Sequence, residues 1–355
     1  MMVFEYWLSS TCRFTGEYKN DYLQIKHIFP SFNSPLEESL SSHSLVKHYF
    51  CVKHTLQDEI PYNDNIGENI ASHLSLYYGK YFDYLGIYYA NGSLHMPDLD
   101  KIRRIKYIAH PAFNNSIRLA YPAKLNFNLF SNYFSLLKKQ NNNKYYKTYN
   151  KAVWFYRKAL EYYNISLETS FIFFVNAIET LASTFIFDKD ELKDNDLEIH
   201  FNKIREYFPS DKEAELTINF FNNRIFMVTR KFKNIIRRHI DSRVFKFSPC
   251  QNKDKIGKIT EEKIDKVINS IYQMRSKYLH TGEQFGQVLL PTGSYMNDIQ
   301  LGEPIHPNNN REIQNIWKNL PTITFIEHLV RFVLLKFFEV NIIQSKIWKE
   351  HNNEE

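Results

Sequence analysis

Cysteine is scarce: Cys12, Cys51 and Cys250 are three residues in a chain of 355. They lie far apart, are odd in number and form no CxxC. That argues against a disulfide framework or a cysteine zinc site, and fits a reducing cytoplasm. No stretch supplies the roughly 20 uninterrupted apolar residues of a membrane span. The nearest, Phe171 to Phe187, is broken by Asn176 and Glu179. The opening MMVFEYWLSST has an early acid and no basic lead-in, unlike a secretory leader. Neither GxxxxGK[ST] nor GxGxxG occurs, so a nucleotide-binding enzyme ranks last among the function classes. No acidic metal cluster stands out, and no cofactor or metal is expected.

Apolar residues make up 43% of the chain, enough for a real core. The 29 Phe and 24 Tyr, with much Asn, Lys and Ile, fit a genome poor in G and C. Net charge is only +6, but its placement is uneven. Between Arg224 and Lys246 stand eight basic residues (Arg224, Arg230, Lys231, Lys233, Arg237, Arg238, Arg243, Lys246) against one acid, Asp241. Most such runs are solvated faces. With Phe226, Phe232 and Phe245 interleaved, this one is equally a candidate grip for RNA, and the candidate contacts are Arg230, Lys231, Lys233, Arg237, Arg238 and Arg243.

The pattern predicts an α+β chain in two parts. Residues 1–145 read as a mixed recognition or regulatory domain. Strands are expected at Tyr22–Ile28, stopping at Phe29-Pro30, and at Ser44–His54. A helix is expected over Asn65–Phe82. Asn91-Gly92 between apolar runs signals a hairpin within Leu85–Met96. Further strands are expected at Lys101–Ile108 and Ser116–Tyr121, around a loop at His110-Pro111, and a helix at Phe127–Leu137. His48, Cys51 and His54 suggest a metal site at first sight, but strand alternation sends Cys51 to the opposite face, and a structural or surface role is the better reading. The polar stretch Gln140–Tyr149 marks the boundary.

Residues 150–345 read as all-helical. Helices are expected at Lys151–Tyr163, Leu167–Phe187, Ile199–Tyr207, Ala214–Phe226, Glu312–Lys318 and Thr322–Ile343. Leu167–Phe187 is apolar nearly all round and should be central, with Ser166 as its N-cap and Glu168 meeting the dipole. Thr322–Ile343, salted with Glu327, Arg331, Lys336 and Glu339, is expected to pack on one side only.

The stretch Ile264–Gly282, IDKVINSIYQMRSKYLHTG, carries the sharpest signal. Ile264, Val267, Ile268, Ile271 and Tyr278 mark one face of a helix, with Thr260 as the expected N-cap. Arg275 falls on that stripe, where an arginine needs a partner or a ligand. Glu179, a carboxylate in the apolar helix, is the expected partner. Gly282 is the stop signal. Spacing alone says little, since chance gives about half an Arg-x4-His match in such a chain. The context of Arg275 and His280 says more.

The wording Tyr272-Gln273-Met274-Arg275-Ser276-Lys277-Tyr278-Leu279-His280-Thr281-Gly282 resembles the catalytic motif of HEPN ribonucleases, most nearly their ApeA-like branch. Trp154 and the run FIFFVNAIETLAS around Glu179 resemble the helix that precedes the motif, so the resemblance covers roughly residues 150–345. It departs at Ser276, where the superfamily often has Asn, Asp or His. The resemblance implies a HEPN-like helical bundle, a homodimer with motifs paired across a cleft, and a metal-independent endoribonuclease with Arg275 and His280 catalytic. Glu179, Ser276 and Lys277 would support them, with RNA, plausibly tRNA, as partner. A bacterial cytoplasmic setting, in antiphage defence or as a growth-arresting toxin, comes with it. The chemistry is coherent: an imidazole can move the 2′-OH proton, and a guanidinium can hold phosphate oxygens. Five residues along a helix turn through about 140°. Either the last turn unwinds or the working pair forms between subunits. The alternative is a non-catalytic helical dimerisation or RNA-binding module in which both residues are structural.

Overall fold

The computed structural model describes residues 2–28, 44–45, 47–56, 65–90, 92–95, 105–106, 109–140, 142–187, 195–221, 227–250, 254–291 and 296–344. Phe29-Pro30, Asn91, Arg224, Phe226, the acidic residues 188–194 and the final eleven residues lie outside them.

The N-terminal part is built on strands, the remainder on helices, as the α+β reading expects. Strand β1 (Met2–Ser10), for which the sequence reading assigns no element, runs through the middle of an antiparallel six-stranded sheet. Its Phe4, Tyr6 and Leu8 are buried, while Val3, Glu5 and Trp7 alternate on the opposite face. Both faces carry apolar residues, which blurs the period-two signal. The other strands are β2 (Tyr18–Lys19), β3 (Leu23–His27), β5 (His48–Leu56), β6 (Asp83–Ala90) and β7 (Ser93–Leu94), in the order β2-β3-β5-β1-β6-β7. The expected hairpin is β6–β7. A separate pair joins β4 (Ser44–Leu45) to β8 (Ile105–Lys106).

Helix α1 (Asn65–Tyr78) lies on the inner face of the sheet, so close that a Cβ on Gly67 would strike Tyr6 and Tyr84. Beyond α2 (Phe130–Lys138) come α3 (Tyr146–Tyr162) and α4 (Leu167–Thr184), an extensively packed helical hairpin. The stretch Gln140–Tyr149, expected as a boundary, includes the first residues of α3. Across it, α1 packs on α3, and one continuous cluster of buried side chains joins sheet and helices. Helices α5 (Asn195–Tyr207), α6 (Asp211–Phe221), α7 (Met227–Arg238), α8 (Ser242–Lys246), α9 (Ile264–Thr281), α10 (Gly286–Leu289), α11 (Arg311–Trp317) and α12 (Ile323–Phe337) complete the chain. Helix α4 has the central place its apolar circumference predicts, against α3, α7, α9, α10 and α12.

Two expectations are corrected. Helix α12 does not pack on one side: every residue from Ile323 to Leu335 is buried. Its charges are tolerated because each has an internal partner. Glu327, fully buried, takes an ion pair from Arg118 and accepts the Tyr156 hydroxyl at 2.5 Å. Arg331 donates to the carbonyls of Leu76 (2.9 Å), Tyr77 (2.6 Å) and Tyr121 (3.2 Å), closing the C-terminal end of α1. Residue 79 must then be glycine. Its φ is +63°, and a Cβ would sit 2.7 Å from both Arg118 and Arg331. Ser116–Tyr121, expected as a strand, is instead an irregular strap. Its Arg118 and Tyr121 serve α12, and the buried Lys80 ammonium binds the carbonyls of Pro111, Asn114 and Ser116 at 2.5–2.6 Å.

Burial would raise the Glu327 carboxyl, but Arg118 beside it outweighs that and holds it down to about 2. Removing one member of such a pair strands the other charge and costs about 3–5 kcal/mol. Glu327→Ala should therefore lower the unfolding free energy by that order in urea titration; a loss under about 1 kcal/mol would contradict the assigned pair.

Burial also lowers His73, His239 and His328 to about 4 and His110 to about 3. In the unfolded chain these rings bind protons below about 6.5, so the unfolded state gains as pH falls. His54 is likewise lowered to about 4, while Asp298, raised to about 6 by burial, and Glu179, also pushed upward, oppose the trend over part of the interval, two carboxyls against five imidazoles. The melting temperature should fall steadily from pH 6.5 to 4.5, and a flat profile there would refute the buried neutral imidazoles.

Candidate functional site

Helix α9 forms because Ile264, Val267, Ile268, Ile271 and Met274 repeat on one face, and all are buried. A 3-10 turn, Glu261–Lys263, leads into it; Thr260, the expected N-cap, makes no side-chain cap bond. At the other end Gly282 adopts φ +70° and its amide closes on the Tyr278 carbonyl at 3.0 Å. Thr281 Oγ1 donates to the Lys277 carbonyl at 2.6 Å. The helix is therefore regular through Thr281, which removes the possibility that its last turn unwinds.

Arg275 leaves the buried stripe at its edge. Its Nη2 donates to Glu179 Oε2 of α4 at 3.0 Å, the pairing the sequence suggests. Both side chains keep partial solvent access, 23% and 17%. Burial pushes the Glu179 carboxyl upward, and Arg275 offsets only part of that. The pair is not saturated, since Arg275 Nε and Glu179 Oε1 are buried without hydrogen-bond partners among the described residues. The guanidinium lies 6.0 Å from the Tyr272 ring centre, and Tyr272 meets Phe232 of α7 at 5.3 Å. Arg275 thus sits on the seam between α4 and α9, a half-buried cation with one donor group still unassigned.

The remaining motif residues diverge. Ser276 is half-buried. Lys277 pairs with Glu312 of α11 at 2.8 Å. His280 is exposed and makes no hydrogen bond to a described residue. Five residues of regular helix separate it from Arg275, about 140° of rotation and about 7.5 Å of rise. In a regular helix the two positions therefore lie on different faces.

The basic segment runs beside this seam. Helix α7 packs on α4 and α9 with Phe232, Ile235 and Ile236 buried. Arg237 and Arg238 are exposed, and Arg230, Lys231 and Lys233 are half-buried. Arg237 bridges to Asp265 of α9 at 2.8 Å, and Arg238 lies over the Phe185 ring at 5.1 Å. Arg243, half-buried, is engaged within the chain: Asp241 holds it at 2.8–3.3 Å and raises its pKa. Its guanidinium also covers the Tyr121 and Phe332 rings. Phe232 is in the core, so it offers no ring to a base. Among the described residues the run is a basic helix edge, with Phe245 half-buried.

Other contacts that fix this corner had no local sequence signal. Glu168 accepts the Gly286 amide at 2.8 Å, and Phe285 stacks edge-on against Phe171 at 5.0 Å, so the chain after the motif is pinned to α4. Trp154 donates to Glu68 at 3.0 Å, and buried Arg157 reaches Glu68 at 2.5 Å, tying α3 to α1. Separations of 86 to 118 residues hide such pairs from any pattern.

His48 and His54 share the inner face of β5, with Cys51 on the outer face. Burial lowers His54 to about 4 and raises Cys51 to about 11. Among the described residues no three His, Cys, Asp or Glu side chains gather as a metal would require. No family model, curated protein or solved structure matches this chain.

The half-buried pair makes a measurable claim. A double-mutant cycle on Glu179→Gln and Arg275→Met should return a coupling of about 1 kcal/mol, between exposed and fully buried pairs. Additive effects would mean that the pair is not formed in solution.

Proposed function

We propose that this chain is a metal-independent endoribonuclease of the HEPN type that acts as a pair of identical copies. The observation that carries the reading is the arrangement on α9. An incompletely paired Arg275 sits at the α4–α9 seam, and a solvent-exposed His280 sits on the last turn of the same regular helix. The regular helix sets the two positions about 140° apart, so the reading pairs the Arg275 of one copy with the His280 of the other.

In that arrangement the RNA supplies its own 2′-OH as nucleophile. His280 takes its proton or protonates the departing 5′-oxygen. Arg275, positioned by Glu179, neutralises charge growing on the phosphate oxygens. The products are a 2′,3′-cyclic phosphate and a 5′-hydroxyl. Arg230, Lys231, Lys233, Arg237 and Arg238 on the neighbouring helix supply a phosphate-attracting edge. Ser276 and Lys277 have supporting positions, with Lys277 able to exchange Glu312 for RNA. The setting that goes with this reading is a bacterial cytoplasm, with cleavage of RNA, tRNA among the candidate targets, halting growth in antiphage defence or as a toxin.

A second reading, a non-catalytic helical dimerisation or RNA-binding module, draws on one specific observation: Glu179 already gives Arg275 a partner within the chain. In that case Arg275 is a structural cation and His280 a helix-end ring.

The two readings separate in one experiment. The purified full chain is incubated with total RNA in excess EDTA, alongside His280→Ala and Arg275→Ala. The nuclease reading expects cleavage that survives chelation, leaves cyclic-phosphate ends and falls about 100-fold or more in His280→Ala, the scale of general acid–base catalysis. His280 is exposed, so this variant should keep the wild-type melting temperature. Equal behaviour of wild type and His280→Ala would leave the binding module. Cleavage by a species that light scattering shows to be monomeric would refute the pairing of copies.

A further inference from the structure

The six-stranded sheet has a second face that α1 does not touch. The registers define it strand by strand. One row crosses the sheet through Tyr89, Glu5, Lys53, Gln24 and Lys19. The next passes through Gly86, Trp7, Cys51 and Lys26. Directly opposed residues in antiparallel strands point to the same side, so both rows share the outer face.

This face is unlike a solvated polar surface. Trp7 stacks on Tyr88 with ring centres 4.9 Å apart and planes 26° from parallel. Trp7, Tyr88 and Tyr89 are half-buried, and Leu94, opposite Tyr89, is 71% exposed. Opposite Trp7 stands Gly86, where an added Cβ would meet no atom within 4 Å, so the space beside the indole is open among the described residues. Lys19 and Lys26 are exposed, and Lys53 keeps 43% of its side-chain surface while pairing loosely with Glu5 at 3.5 Å. At the β2–β3 end of the same face lies an open hollow of about 570 Å³, lined by Lys19, Asn20, Asp21, Tyr22, Lys53 and Thr55. Lys26 is two strands from Trp7, roughly 10 Å across the sheet.

A flat aromatic pair, open space beside it, and lysines one or two strands away are the parts that bind unpaired bases and the phosphates joining them. The hollow falls within the size range of small-ligand sites. We infer that the outer face of the sheet binds single-stranded RNA, with a base stacked on Trp7–Tyr88 and the backbone running over Lys26 and Lys53 toward the hollow at Lys19. The rings cannot reach bases inside a duplex, which sets the preference for a single strand. This surface lies on a different element from α9, and the inference stands whether or not the chain cleaves RNA.

The test uses the full chain and a fluorescein-labelled 12-mer of 2′-O-methyluridine, which lacks the 2′-OH that cleavage needs. Failure of cleavage and failure of binding are thereby read separately. Fluorescence anisotropy should show binding that weakens about fivefold or more in Trp7→Ala and is retained within about twofold in Trp7→Phe, the scale expected of one stacked base. Lys26→Glu should weaken binding and flatten its salt dependence. Lys26 is exposed, so this variant carries the test if Trp7→Ala fails to fold by circular dichroism. The inference is overturned if the wild type does not bind, if Lys26→Glu and a folded Trp7→Ala bind like the wild type, or if a duplex of equal length binds as tightly as the single strand.

Discussion

The rest of the structure depends on a buried carboxylate. Glu327 lies near the middle of α12, fully enclosed, and is kept ionised by Arg118 and the Tyr156 hydroxyl. Arg118 comes from the strap behind the sheet and Tyr156 from α3, so one side chain joins three separate stretches of the chain. Arg331, one turn further on, reaches the end of α1. An apolar contact can be replaced by another of similar volume, whereas removing one partner of a buried ion pair strands the other charge. These contacts fix how the sheet and the helices meet.

That rigidity passes to the candidate site through α4. The helix touches α12 on one side and α9 on another, and it carries Glu168 and Glu179 on its own surface. Glu168 holds the chain just after the motif, and Glu179 holds Arg275 within it. The seam is thus braced at two points, while His280 beyond it stands in solvent. A braced cation and an unbraced imidazole on one helix are consistent with a site completed from outside the chain, and equally with a cation that is only structural.

What could be read beforehand follows a physical division. Helices α4 and α9 were legible because their apolar spacing is local. The Asn-Gly hairpin was legible because its turn chemistry is local too. The Glu179–Arg275 pair was legible because each interrupts an apolar stripe and so demands the other. Strand β1 was missed since both its faces carry apolar groups. Helix α12 reads as one-sided because charge ordinarily marks a solvent-facing position. Its partners Arg118 and Tyr156 are 209 and 171 residues away, and no pattern reports such distances. The basic run was legible as charge, but the commitment of Arg243 to Asp241 and of Phe232 to the core emerges only from packing.

The place of β1 has a consequence for how the polypeptide becomes this structure. Its two neighbours, β5 and β6, follow it by some forty and eighty residues, and the carboxylate that Arg118 needs follows by 209. A nascent chain emerging from the ribosome would have every strand of the six-stranded sheet by Leu94, yet carry an unmatched Arg118 until α12 is made. Closing loops of that length is slow, because chain entropy is lost before distant contacts repay it. During synthesis the first half would then expose the surface on which α12 later packs, the last contact of the core to form.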